Sequence, residues 1–278
     1  PAGIYNLYYT VTDHRGCSGS DSMIIYVNPG AEITPDPAGV CAGDTIFLDG
    51  NPSSASGIAT HEWTGDTMLL SATNIANPSF VSDSAGDYTL IYTVTDNDGC
   101  SASDTLIITV YPIPQPDING LTDVCEFDAN IVYNTADHSG TGGIYDWLYA
   151  GNGNIDGSFN NPDVMVDFGA SGQGILYVTV NINGCRGYDS LIIDINAYPD
   201  PDITGPDSVC SQEENVPYSV IDHTSSGYTY QWQTSGGAGI VSGSSLPNAQ
   251  VNFTMPGTDT LIVQEINTGC ISYDTLPV

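Results

Sequence analysis

Seven cysteines and three tryptophans fall into one register along this chain, and that internal repeat limits what it can fold into. The cysteines stand at positions 17, 41, 100, 125, 185, 210 and 270. Taken as early and late members of a unit, Cys41 and Cys100, Cys125 and Cys185, and Cys210 and Cys270 lie 59, 60 and 60 positions apart. A tryptophan follows each early cysteine by 22 positions, at Trp63, Trp147 and Trp232. Each late cysteine follows a glycine turn, as in Asp98-Gly99-Cys100, Asn183-Gly184-Cys185 and Thr268-Gly269-Cys270. Each also precedes an Asp-Ser/Thr-aliphatic triplet, at Asp104-Thr105-Leu106, Asp189-Ser190-Leu191 and Asp274-Thr275-Leu276. Cys17 and Asp21-Ser22-Met23 keep the same frame, and the period is 83 to 85 residues.

The register divides the 278 residues into the last third of one repeat (1–30), two full repeats (31–114 and 115–199) and a repeat whose last strand is incomplete (200–278). The joints are rich in proline: Val27-Asn28-Pro29-Gly30, Tyr111-Pro112-Ile113-Pro114-Gln115-Pro116 and Tyr198-Pro199-Asp200-Pro201. Such joints are short and stiff. Repeats joined this way are expected to form an elongated rod, with about 35–40 Å per repeat from strand rise and loop thickness.

Within each repeat the apolar pattern has the period of strands. Tyr88-Thr89-Leu90-Ile91-Tyr92-Thr93-Val94 alternates around β-branched and aromatic residues, and Leu106-Ile107-Ile108-Thr109-Val110 is a near-continuous apolar run. Short strands separated by Gly, Pro and Asn turns predict an all-β chain of two-sheet sandwiches. No stretch of 18 apolar residues predicts a membrane-crossing helix. The 33 acidic residues against Arg15 and Arg186 give a formal charge of −31. A chain so poor in Lys and Arg cannot neutralise phosphate, which excludes nucleic acid and anionic lipid as main partners.

The segment His61-Glu62-Trp63-Thr64-Gly65-Asp66 followed by Gly86-Asp87-Tyr88 through Val94-Thr95-Asp96 resembles PKD domains, an immunoglobulin-like sandwich family. Gly3-Ile4-Tyr5 through Tyr9-Thr10-Val11-Thr12-Asp13 repeats the pattern. Residues 115–199 and 200–278 keep Tyr145-Asp146-Trp147 and Tyr230-Gln231-Trp232 but lack the Gly-x-Tyr step. They resemble the cysteine-containing PKD-like or Ig-like repeats of secreted Bacteroidetes surface proteins and gliding-motility adhesins. That resemblance implies tandem immunoglobulin-like (PKD-like) sandwiches with Trp63, Trp147 and Trp232 packed between the sheets.

The cysteines read as disulfides of an oxidising compartment, since no C-x-x-C pair occurs and the histidines do not recur beside them. Two connectivities are open. The preferred one closes each repeat on itself, as Cys41–Cys100, Cys125–Cys185 and Cys210–Cys270, with a loop worth about 4 kcal/mol. The alternative joins neighbouring repeats, as Cys41–Cys185 and Cys125–Cys270. An immunoglobulin-like trace puts early and late cysteines at opposite ends of a sandwich, which weighs against the first. Cys17 needs a partner upstream of residue 1 in either scheme.

The acidic turns offer weak calcium sites at Asp96, Asp98, Asp200 and Asp202, set against the plainer reading of acid for solubility. No other cofactor is expected. Asp-Ser/Thr triplets outside the register, such as Asp44-Thr45-Ile46 and Asp207-Ser208-Val209, resemble an O-glycosylation triplet of secreted Bacteroidetes proteins. Nucleophile elbows, H-E-x-x-H and phosphate loops are absent, so no catalytic residues are expected. His138 and His223, copied 85 positions apart, read as loop structure. The expected function is structural: an extracellular adhesin shaft, stalk or filament subunit on a bacterial surface. Its partners would be neighbouring repeats, other copies in a filament, and surface glycans. The alternative is a glycan-binding or accessory spacer module of a secreted enzyme.

Overall fold

The computed structural model describes residues 3–27, 30–34 and 39–278, so the Asn28-Pro29 part of the first proline joint lies outside the described residues. The described residues form strands and three short 3-10 turns, Thr67–Leu69, Ser139–Thr141 and Thr224–Ser226, without an α-helix. The chain divides into two compact units. One holds the residues up to Pro114 together with Asn181–Arg186, and the other holds Gln115–Val180 and Gly187–Val278.

In the first unit, residues 33–110 close one core between two sheets. The larger sheet runs Val40–Cys41, Ser101–Tyr111, Gly86–Asp96, Ile58–Gly65, and the smaller pairs Thr45–Phe47 with Ser79–Val81. The outer strand Val40–Cys41 lies parallel to Val110–Tyr111, while the long hairpin Gly86–Asp96 and Ser101–Tyr111 is antiparallel. Alternation puts Leu90, Tyr92 and Val94 inside, opposite Leu106, Ile108 and Val110. The same unit begins with a second long hairpin, Gly3–Thr12 with Ser18–Val27, paired from Gly3↔Val27 to Thr12↔Ser18.

Residues 115–278 form two sandwiches. One sets Ile144–Ala150, Gly172–Ile182, Cys185–Asn196 and Asp123–Cys125 against Ile131–Asn134, Asp163–Phe168 and Gly153–Asp156. The other sets Thr229–Ser235, Thr260–Asn267 and Cys270–Pro277 against Val216–Ser219, Asn248–Phe253 and Ala238–Ser242. Leu176, Val178 and Val180, and then Leu261, Val263 and Glu265, take the inner positions of the equivalent central strands. The inward glutamate departs from the apolar rule and is taken up below.

Each tryptophan is 2–3% exposed, and its indole N–H finds a carbonyl at 2.8 Å: Ile75, Asn161 or Leu246. An aromatic of this size buries a large apolar area, worth a few kcal/mol, without stranding its polar atom. The hairpin turns follow from sequence. Asn183-Gly184 and Thr268-Gly269 have positive φ at both residues, the two-residue turn whose twist matches the strands it joins.

The aspartate of each in-register triplet has one repeated task. Asp104, Asp189 and Asp274 accept the backbone N–H of Ile33, Ile118 and Ile203 at 2.8, 2.7 and 2.7 Å, in each case across 71 residues. Those isoleucines are buried, so a lost acceptor leaves a buried donor unpaired. Asp189→Ala is expected to lower stability by about 1–3 kcal/mol, measured by denaturant unfolding, whereas alanine at the exposed Ser190 should be nearly silent.

Candidate functional site

Two disulfides join residues of consecutive repeats: Cys41–Cys185 and Cys125–Cys270, with Cα–Cα distances of 5.5 and 5.6 Å. The pairing preferred from sequence, Cys41–Cys100, Cys125–Cys185 and Cys210–Cys270, is not formed. Strand geometry gives the reason. Cys125 lies opposite Asn196, at the far end of the strand that Cys185 opens. At about 3.3 Å per residue, the eleven steps between them span roughly 36 Å, and a disulfide tolerates about 6 Å between Cα atoms. Cys41 likewise lies opposite Tyr111, at the end of the strand that Cys100 precedes. Cys17, Cys100 and Cys210 are free thiols, the first and last of them exposed.

The early cysteine of each bridge stands in a fixed turn. Asp44 N–H donates to Cys41 O and Asp128 N–H to Cys125 O, around a left-handed residue, Gly43 (φ 86°) or Phe127 (φ 64°). Left-handed backbone is costly for a bulky residue such as phenylalanine, so the surrounding contacts hold it there. Around Cys125–Cys270 the exit of the chain is pinned as well. Glu126 accepts the N–H groups of Tyr198 at 3.2 Å and Ser171 at 3.1 Å. From the following repeat, the Asn267 amide donates to Ala197 O at 3.1 Å. Cys185 and Cys270 are each 1% exposed, so both bridges are shielded from attacking thiolates on that side.

Asp96 is held by protein donors. Asp96 accepts N–H groups from Cys100 (2.9 Å) and Asp98 (3.0 Å) and the Ser54 hydroxyl (3.0 Å). Burial pushes its carboxyl upward, but these hydrogen bonds, with that of Ser56, outweigh it and hold the group below the ordinary carboxylate value. Among the described residues, no three His, Cys, Asp or Glu side chains gather to hold a metal ion. Of the four acids expected to offer calcium ligands, Asp96 spends its oxygens on protein donors.

His138 and His223 precede two of the 3-10 turns. The His223 N–H donates to the Tyr230 hydroxyl at 2.6 Å, and the His138 N–H donates to the Tyr145 hydroxyl. Asp222 closes its turn through the Thr224 hydroxyl (2.6 Å) and N–H (2.9 Å), and Asp137 does so through Ser139. Those donors hold both carboxyls below their usual value. His223 has a further partner, the fully buried Glu265, with Nδ1 2.9 Å from Oε1. Sequence reading missed this pair; its only signal was a glutamate at an inward strand position.

The geometry defines a class: a tandem array of immunoglobulin-like sandwiches in which consecutive repeats are linked by disulfides. Residues 197–277 match the family described as PKD-like domain, and residues 38–110 match a second, PKD-domain family. The rat (Rattus norvegicus) dyslexia-associated protein KIAA0319 homolog is 30% identical over 41% of this chain, and the match spans 12% of that protein's length. Similar solved structures include the N-terminal eight Ig domains of Down syndrome cell adhesion molecule, 13% identical with TM-score 0.46, covering 99% of this chain and 39% of that one. Three titin domains are 11% identical with TM-score 0.43, covering 90% and 97%. Fibronectin(III)-like modules of Clostridium thermocellum CbhA are 18% identical with TM-score 0.34, covering 60% and 94%. The chain therefore carries PKD-like domains within an all-β array, an organisation typical of extracellular repeat proteins. PKD-like domains together with disulfides suggest an extracellular setting.

Two predictions follow from the carboxylates. A depressed carboxyl contributes stability above its unfolded value near 4 that is lost as pH falls through the folded one. The thermal midpoint should therefore drop on acidification from about pH 5 to about pH 3, and Asp222→Asn should flatten part of that drop. Glu265→Val, which restores the residue found at Val94 and Val180, should leave the melt unchanged or raise it, because a buried polar pair gains little over apolar packing. His223→Ala should lower it, because the carboxylate is left buried without its partner.

Proposed function

We propose that this chain is a stretch of a structural extracellular protein, an adhesin shaft, stalk or filament segment on a bacterial surface, with no catalytic role of its own. The observation that carries this reading is the pair of bridges between consecutive repeats. A bond inside one sandwich would protect only that sandwich. A bond from one repeat to the next limits how far the chain can extend when a repeat unfolds, which suits a tether under load. The charge of −31 supports the same reading, since it keeps neighbouring copies apart and soluble.

Under force, the shortest covalent path from Cys41 to Cys270 uses both bridges and returns through residues 125–185, about 60 residues in place of about 230. Pulling the chain from its ends should therefore give a contour length about 560–610 Å shorter when oxidised than when reduced. Equal lengths would mean that the bridges carry no load. The role itself is tested by electron microscopy of the native protein on its cells. Thin strands projecting from the surface are expected, and a compact enzyme head with this region folded beside it would overturn the reading. A glycan array showing saturable binding by this chain would instead favour an accessory carbohydrate-binding module.

A further inference from the structure

The two bridges obey one rule: the early cysteine of a repeat bonds to the late cysteine of the next, 144 or 145 positions on. Three thiols are left over, and each occupies a place in that rule. Cys210 is an early cysteine, and Cys17 and Cys100 are late ones. We propose that these thiols are the open rungs of the same ladder. In the native protein, Cys210 is disulfide-bonded to the late cysteine of a following PKD-like repeat, and Cys100 and Cys17 to early cysteines of preceding repeats, each about 145 positions away along the same chain. The proposal rests on the reading of the chain as part of an extracellular array.

Three observations beyond spacing carry it. First, the turn at Cys210 is built like the turns at the bonded early cysteines. Glu213 N–H donates to Cys210 O as Asp128 N–H does to Cys125 O, both at 3.2 Å. A carboxylate three residues on accepts the cysteine's own N–H in both, Glu213 and Asp128, at 3.0 Å. The left-handed residue recurs too, Gln212 with φ 68° beside Phe127 with φ 64°. A glutamine held in left-handed backbone is strained, and the same strained turn elsewhere presents a bonded sulfur.

Second, each free thiol is more exposed than the bonded cysteines of its own register: the early cysteines Cys41 and Cys125 are half-buried where Cys210 is exposed. Cys185 and Cys270 are 1% exposed, whereas Cys100 is half-buried and lines a groove of about 410 Å³ with Val27, Ser54, Asp96 and Asp98. Cys210 is exposed along a groove of about 330 Å³ with Val209, Phe253 and Met255.

Third, the repeat before Cys100 is represented by the hairpin Gly3–Val27, whose inward residues have no sandwich over them. Leu7, Tyr9, Val11, Met23, Ile25 and Val27 are 39–66% exposed, while their counterparts 83 positions on, Leu90, Tyr92, Val94, Leu106, Ile108 and Val110, are at most 4% exposed. An apolar face of that extent needs cover. Under the proposal, the strands that bring an early cysteine to Cys100 would cover it.

Formation is ordinary thiol–disulfide chemistry. Two protein thiols give up two electrons and two protons to the disulfide of an oxidoreductase in the secretory compartment, which leaves as a dithiol while one S–S bond forms between repeats. The test is peptide mapping of the native full-length protein without reduction, with free thiols alkylated before denaturation. Cys210 and Cys100 are expected to escape alkylation and to appear cross-linked to cysteine peptides outside residues 1–278. Alkylated Cys210 and Cys100 in a sample whose Cys41–Cys185 peptide is linked would overturn the ladder. So would a Cys210 peptide linked to Cys17 or Cys100, which would identify a second copy as the partner. A second arm uses Cys210→Ser in the full-length protein, which should expose one new alkylatable thiol on a glycine-cysteine turn of the following repeat; no new thiol, or one elsewhere, counts against it. Failure here would leave the shaft reading standing, because that reading is judged by imaging and not by thiol counts.

Discussion

A disulfide reaches about 6 Å between Cα atoms, and the closing strand of each sandwich is several times longer than that. Much of the covalent organisation depends on this mismatch. The early cysteine travels with the outer strand, which runs parallel to the end of the closing strand, so it emerges where the chain leaves the repeat. The late cysteine sits at the opposite end, beside the turn of the long hairpin. Neither can meet its companion in the same repeat. Each is instead set to meet the complementary cysteine of a neighbour, and the bond reinforces the proline joint that the chain itself passes through.

A second constraint comes from charge. With no lysine and only Arg15 and Arg186, the carboxylates have almost no cationic side chains to pair with. Many turn to the backbone. Asp104, Asp189 and Asp274 each hold a buried isoleucine near the start of their repeat through its N–H, while Asp96, Asp137 and Asp222 organise turns. Glu265 alone among these goes fully inside and takes His223 as its partner. Hydrogen bonds of this kind satisfy a carboxylate without the desolvation cost of a buried ion pair, provided its oxygens remain partly solvated.

Much of the fold was legible because its signals are local. Alternation at Leu90, Tyr92 and Val94, the Asn183-Gly184 turn and the placement of Trp63, Trp147 and Trp232 each report on a few neighbouring residues. The resemblance to PKD domains added the sandwich around them. Less was legible where partners are far apart in sequence. The aspartate of each triplet was seen to recur, but its acceptor role across 71 residues was not. Glu265 looked like any polar residue in a strand, and the left-handed turn at Phe127 has no glycine to announce it.

The sequence by itself determined the repeat, its period and the all-β sandwich, because strand alternation and turn chemistry are written residue by residue. It also set out both disulfide schemes, since seven cysteines in two registers allow little else. Choosing between them required the tertiary structure. Connectivity depends on which strand ends share a side of the sandwich, and that follows from the parallel pairing of Asp123–Cys125 with Asp194–Asn196, a long-range contact that no local pattern encodes.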